Sequence, residues 1–116
     1  MKLPKSSGLI VERGKIADYL LNPAHRYGAS KARFFTKFGF RIEDWERLAE
    51  ALREHGRIHE VARVVETGFG PRYVVEGGLK TPDNRRPRVR TVWQMDEGAD
   101  EGAVAPRLIS AYPLEA

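Results

Sequence analysis

Apolar residues follow one period in the first half of the chain and another in the second. Up to residue 56 they recur at helical spacing. Ile16, Tyr19 and Leu20 lie on one face of the stretch from Lys15 to Leu21, and Asn22-Pro23 ends it, because the residue before a proline is pushed out of the helical region. After a turn at His25 to Gly28, Ser30 stands where it can cap a second helix, with Phe34, Phe35 and Phe38 along its core side and Gly39 as its stop. A third helix is predicted from about Glu43 to His55. Trp45, Leu48, Ala49 and Leu52 repeat at i, i+3, i+4, i+7, Glu43 and Asp44 sit at the positive end, and Gly56 follows as a terminator.

Beyond Gly56 the pattern alternates. Four segments, Ile58 to Thr67, Arg72 to Glu76, Arg88 to Met95 and Arg107 to Tyr112, are rich in β-branched and aromatic residues and bounded by Gly, Pro, Asn or Asp. The link from Thr67 to Pro71 is short enough for a hairpin, and no helical stretch separates the strands as a parallel crossover would require. The predicted fold is therefore α+β: about three N-terminal helices packed on a four-stranded antiparallel sheet. One domain spans residues 15–113, preceded by a tail or edge segment over residues 1–14 that carries a short apolar patch, Leu9 to Val11. In the third strand Val89, Thr91, Trp93 and Met95 face the core, leaving Arg88, Arg90, Val92 and Gln94 on the opposite side. In the fourth, strict alternation groups Leu108 with Ser110 and Tyr112.

Composition narrows the function classes. The chain has 116 residues, 41% hydrophobic and 31% charged, which suits one soluble globular domain. No apolar run approaches the roughly 20 residues that span a bilayer, so no membrane association is expected. The absence of cysteine removes thiolate chemistry and disulfides, and with no signal-peptide pattern it suggests a reducing, cytoplasmic setting. The net charge is +4. Basic residues gather in two clusters, Arg26, Lys31, Arg33, Lys37 and Arg41, then Lys80, Arg85, Arg86, Arg88 and Arg90, whereas Asp96, Glu97, Asp100 and Glu101 form an acidic loop. Such a separation can attract a polyanion, although a merely solvated Arg-rich surface has the same look.

No P-loop, dinucleotide-binding glycine pattern or HExxH motif is present. His55 and His59 have the four-residue spacing of helical zinc ligands, but a helix broken at Gly56 would part them and no third ligand is evident, so no metal site is expected. The stretch NPAHRYGASKARFF, residues 22–35, is more informative. His25 on a turn can transfer protons, and Lys31 in the first helical turn can hold a phosphate. The ordinary alternative is that His25 hydrogen-bonds the turn and Lys31 is a surface lysine. On the sheet, Arg90, Ser110 and Tyr112 supply a guanidinium, a hydroxyl and a phenol for a phosphate or a base, or else serve as polar groups at a sheet edge.

The blocks KIADYLLNPAHRYGASKARFF, FGF, GPRYVVEGGL, VRTVW and PRLISAYP together resemble a bacterial family of unknown function, found free-standing and as C-terminal modules of toxin-like or phage proteins. The resemblance covers roughly residues 15–113. Its layout is distantly similar to the barnase, EndoU, colicin and RelE class of ribonuclease toxins. That similarity implies a metal-independent endoribonuclease without a cofactor, in which the RNA 2′-hydroxyl attacks the adjacent phosphate. His25 would act as general acid and base, Lys31 and Arg90 would stabilise phosphate charge, and Ser110 or Tyr112 would position substrate. Ser110 replaces the threonine of relatives and keeps the hydroxyl. Arg26, Arg33, Arg85, Arg86 and Arg88 are the further candidates for substrate binding. An acidic antitoxin or immunity-like partner is also implied. The rival expectation is a non-catalytic module that binds nucleic acid or an acidic protein through the same basic surface.

Overall fold

A computed structural model describes residues 1–96 and 105–114. Helix α1 opens as an α-helical turn, Arg13–Lys15, and continues with π-type bonding over Ile16–Leu20, closed by Leu21 N–H donating to Ile16 O at 2.8 Å. Helix α2 is Ala29–Lys37, and a 3₁₀ turn, Ile42–Asp44, leads into α3, Trp45–Ile58. The strands β1 (Val61–Thr67), β2 (Gly70–Gly78), β3 (Arg88–Gln94) and β4 (Arg107–Pro113) form one antiparallel meander in the order β1-β2-β3-β4. The α+β architecture expected from the change of period is the observed one.

The core lies between the helices and one face of this sheet. Val75, Val89, Trp93, Leu108 and Ala111 point inward from the strands and meet Ile16 and Leu20 of α1, Phe35 of α2 and Leu48 and Leu52 of α3, all fully buried. Residues 1–14 join both layers: Leu3, Leu9 and Val11 are buried, and Ile10 makes a parallel bridge to Arg107 beside β4. On the opposite edge β1 is largely exposed.

Three local expectations need correction. Gly56 does not end α3, which runs through it to Ile58. The glycine is there for packing: a Cβ at this position would lie 2.7 Å from Cζ2 of Trp93, so only a bare α-carbon admits the indole. Ser30 is not the cap of α2 either; the chain enters that helix from Gly28, and no side chain of the formal cap residue bonds the helix. The alternation assumed for β4 is also broken. Val92 pairs with Ser110 while Trp93 pairs with Leu108, so Ile109 is an extra residue in a bulge. Leu108 therefore turns inward with Ala111, and Ser110 and Tyr112 share the outer face.

Gly39 does act as the stop of α2. Its φ is 105°, and an added Cβ would sit 3.0 Å from Pro82 Cβ. Gly39→Ala is expected to cost at least about 1 kcal/mol, a fall in melting temperature of about 4 °C in a thermal unfolding scan.

Candidate functional site

The turn between α1 and α2 is built by its own side chains. Asn22 Oδ1 accepts from Ala24 N–H at 2.9 Å, and His25 Nδ1 accepts from both Tyr27 N–H and Gly28 N–H at 3.0 Å. To accept there, the imidazole must carry its proton on Nε2. His25 thus does for α2 what Ser30 was expected to do, satisfying main-chain donors at the helix entry. Its ring stands edge-on to Tyr19, centroids 5.0 Å apart. Gly28 is required at this turn, since a Cβ would fall 2.2 Å from Tyr19 O.

Lys31, in the first turn of α2, donates to Tyr27 O at 3.2 Å. Its ammonium also lies 5.5 Å from the centre of the Tyr19 ring and 6.0 Å from that of Tyr112, so it bridges the helical layer and the sheet. The Tyr19 and Ser110 hydroxyls share a hydrogen bond of 3.0 Å. Lys15, Tyr19, His25, Tyr27, Ile109 and Ser110 line an open cleft of about 420 Å³, with the bulged Ile109 on its sheet side.

From the cleft the polar chain continues across the outer sheet face. Tyr112, Arg90 and Glu76 are register partners on β4, β3 and β2. Arg90 Nε donates to Glu76 Oε2 at 2.7 Å, and Nη1 lies 3.5 Å from the Tyr112 hydroxyl. Tyr112 and Glu76 together hold the Arg90 guanidinium above its ordinary range. Five nominated residues, His25, Lys31, Arg90, Ser110 and Tyr112, are therefore linked in one contiguous set. Tyr19 and Glu76 complete it and were not among the sequence candidates. Tyr19 looked like a core position by its spacing, and Glu76 is fourteen residues from Arg90, with only the strand register to join them.

The other nominated residues diverge. Arg26 lies over Tyr27, 5.3 Å from its ring centre, near the mouth of the cleft, and Arg88 is exposed at the start of β3. Arg33 lines a separate groove on α2. Arg85 pairs with Asp83, donates to Lys37 O at 3.0 Å and covers Phe38, while Arg86 borders a small pocket beside His55 and His59. Because α3 continues through Gly56, those two imidazoles do meet, with centroids 4.8 Å apart. Three of their four nitrogens, however, are engaged: both of His55, with Thr91 and with the carbonyls of Gly77 and Val89, and Nε2 of His59, with the carbonyl of Gly78. Among the described residues no group of three or more His, Asp or Glu is placed to hold a metal ion, and no helix is long and apolar enough to cross a membrane. Of the acidic loop, Asp96 bonds Arg107 at 2.9 Å, and the rest lies outside the described residues.

Residues 2–115 match a protein family described as Domain of unknown function (DUF6883). The chain belongs to that family. No curated protein and no solved structure matches it. In this DUF6883 domain the candidate site joins the α1–α2 turn to the sheet, so its geometry depends on the Tyr19–Ser110 bond that ties the two layers. Tyr19→Phe is expected to lower stability by about 1 kcal/mol, read as a shifted urea midpoint with an unchanged slope.

Proposed function

We propose that the cleft and the adjoining sheet face cleave RNA without a metal ion, by attack of a 2′-hydroxyl on the neighbouring phosphate. The observation that carries this reading is the convergence of Lys31, Arg90, His25, Ser110 and Tyr112, contributed by separate segments, around one open cleft and the sheet face beside it. Lys31 and Arg90 are suited to the charge that builds on the phosphate oxygens. Because His25 Nδ1 is occupied by two main-chain donors, its contribution is the Nε2–H bond to substrate. The base is then Glu76: when Arg90 swings from it to the phosphate, its carboxylate takes the 2′-hydroxyl proton. The Lys31 ammonium gives a proton to the departing 5′-oxygen, Tyr112 offers a stacking ring and Ser110 a backbone contact. The products are a 2′,3′-cyclic phosphate and a free 5′-hydroxyl. RNA as substrate, a cytoplasmic site of action and an acidic neutralising partner belong to this same reading.

A binding module without catalysis is the second reading. It is favoured by one observation: His25 Nδ1 and the Lys31 ammonium both make hydrogen bonds within the fold, as ordinary structural groups do. The two separate on incubation with total bacterial RNA in chelator. Cleavage by the parent but not by folded Lys31→Ala supports the enzyme; intact RNA, with retained affinity for a labelled oligonucleotide, supports the binder.

A further inference from the structure

A second groove runs along the other side of α2. The left-handed turn at Gly39 folds the chain back so that Phe40 packs edge-on against Phe35, centroids 6.2 Å apart, and the strand of chain leading to α3 then lies alongside the helix. Between them, and against the end of α1, is a cavity of about 540 Å³. Its floor is apolar: Leu21, Ala32 and Phe40. Ile42, 45% exposed, extends that surface to the rim. None of its lining residues is shared with the cleft that contains His25.

The rim is cationic. Arg33 and Lys37 stand four apart on α2, hence on one face about 6 Å from each other, and Arg41 follows, its guanidinium donating to Thr36 O at 3.4 Å. Glu43 is the one carboxylate lining the groove. Among the described residues no carboxylate forms an ion pair with Arg33, Lys37 or Arg41.

We infer that this groove is a docking site for an acidic amphipathic helix of a separate protein, which packs apolar side chains against Ile42 over the buried floor of Leu21, Ala32 and Phe40 and sets carboxylates against Arg33, Lys37 and Arg41. The pairing follows helix-in-groove recognition, in which apolar anchors supply contact area and flanking charges choose the partner. Nucleic acid fits the surface poorly. The one aromatic ring of the groove, Phe40, is 1% exposed and offers no face for a base to stack on, whereas the cations surround an apolar floor that a sugar-phosphate chain cannot use. The inference stands apart from RNA cleavage, since the two surfaces share no lining residue.

The test is a titration of the isotope-labelled full chain with a synthetic helical peptide carrying a leucine stripe flanked by glutamates, followed by amide chemical shifts. The expected result is shifts at Leu21, Ala32, Thr36, Lys37 and Ile42, with affinity falling about tenfold in Lys37→Glu and in Ile42→Asp. Both positions are exposed, so the fold should persist, and unchanged shifts elsewhere in the variants would confirm it. The same peptide with lysines in place of glutamates should not bind. Shifts confined to other surfaces, equal affinity for the variants, no binding, or displacement of these amides by oligo-uridine would each overturn the inference. Cleavage of RNA, measured on the same two variants, reports separately on the cleft.

Discussion

Acidifying the protein from pH 7 to pH 4 is expected to remove about 3 kcal/mol of folding stability, of which about 2 kcal/mol is gone by pH 5. The cause is His55, buried at the joint between α3 and the sheet. Its Nε2 faces the carbonyls of Val89 at 2.8 Å and Gly77 at 3.1 Å, so it must be a donor there. Its Nδ1 is 3.0 Å from Thr91 Oγ1, which itself accepts from Trp93 Nε1–H at 2.8 Å. In the neutral ring with its proton on Nε2, Nδ1 is the acceptor and the Thr91 hydroxyl donates to it, so the neutral form has every polar group paired. Burial, and after it the nearby His59, lower the His55 pKa from 6.5 to about 4. Between those two values the unfolded chain binds a proton that the folded chain refuses, so stability is full above about pH 6.5 and declines as the pH falls toward 4. Carboxylates do not mimic this. The N-terminal ammonium lowers Glu60, and at Asp83 desolvation is outweighed by bonds from Thr81 and Arg85, so their losses fall below about pH 5, outside the pH 7 to 5 window of the measurement. Urea unfolding of the parent at pH 7, 6 and 5 should show the decline, and His55→Gln should flatten it. A parent curve flat from pH 7 to 5 would contradict the assignment.

Lys31→Ala and Arg90→Ala should each reduce RNA cleavage by about 10²–10³-fold in kcat/KM. Each removes a cation from the surface to which the phosphate is assigned, and the loss belongs to the transition state, where charge is greatest. Binding of a 2′-deoxy oligonucleotide should weaken far less, because several other arginines contribute to it. Glu76→Gln keeps a hydrogen-bond acceptor for Arg90 but removes the base, so it should abolish most cleavage while leaving oligonucleotide affinity near or above the parent's. If Glu76→Gln cleaves normally and the cation variants lose affinity and rate in equal measure, the surface binds RNA and the base lies elsewhere.

The meander was legible because alternation survives in the sequence wherever one sheet face is buried and the other is not. The helices were legible in their stripes and less so at their ends. Gly56 reads as a stop by its type, yet it is held inside α3 by an indole 37 residues away in sequence. Ser30 reads as a cap, but His25 takes the main-chain donors at that turn first. Parity in β4 fails at Ile109 because a bulge depends on the pairing with β3, which no local pattern records. The same limit applies to the site. His25 and Lys31 were visible in one short segment, and Ser110 and Tyr112 in another. That Arg90 meets Glu76 on one side and Tyr112 on the other depends on strand register, and Tyr19 reaches Ser110 only because α1 packs at the β4 edge.

The most direct measurement is of the ends that the full chain leaves on a defined RNA incubated in chelator, beside the same RNA with single 2′-deoxy substitutions. The expected fragments carry a 2′,3′-cyclic phosphate and a 5′-hydroxyl, with no cut where the 2′-hydroxyl next to the scissile phosphate is missing. Intact RNA at every protein concentration, or cuts that persist at the 2′-deoxy positions, would contradict it.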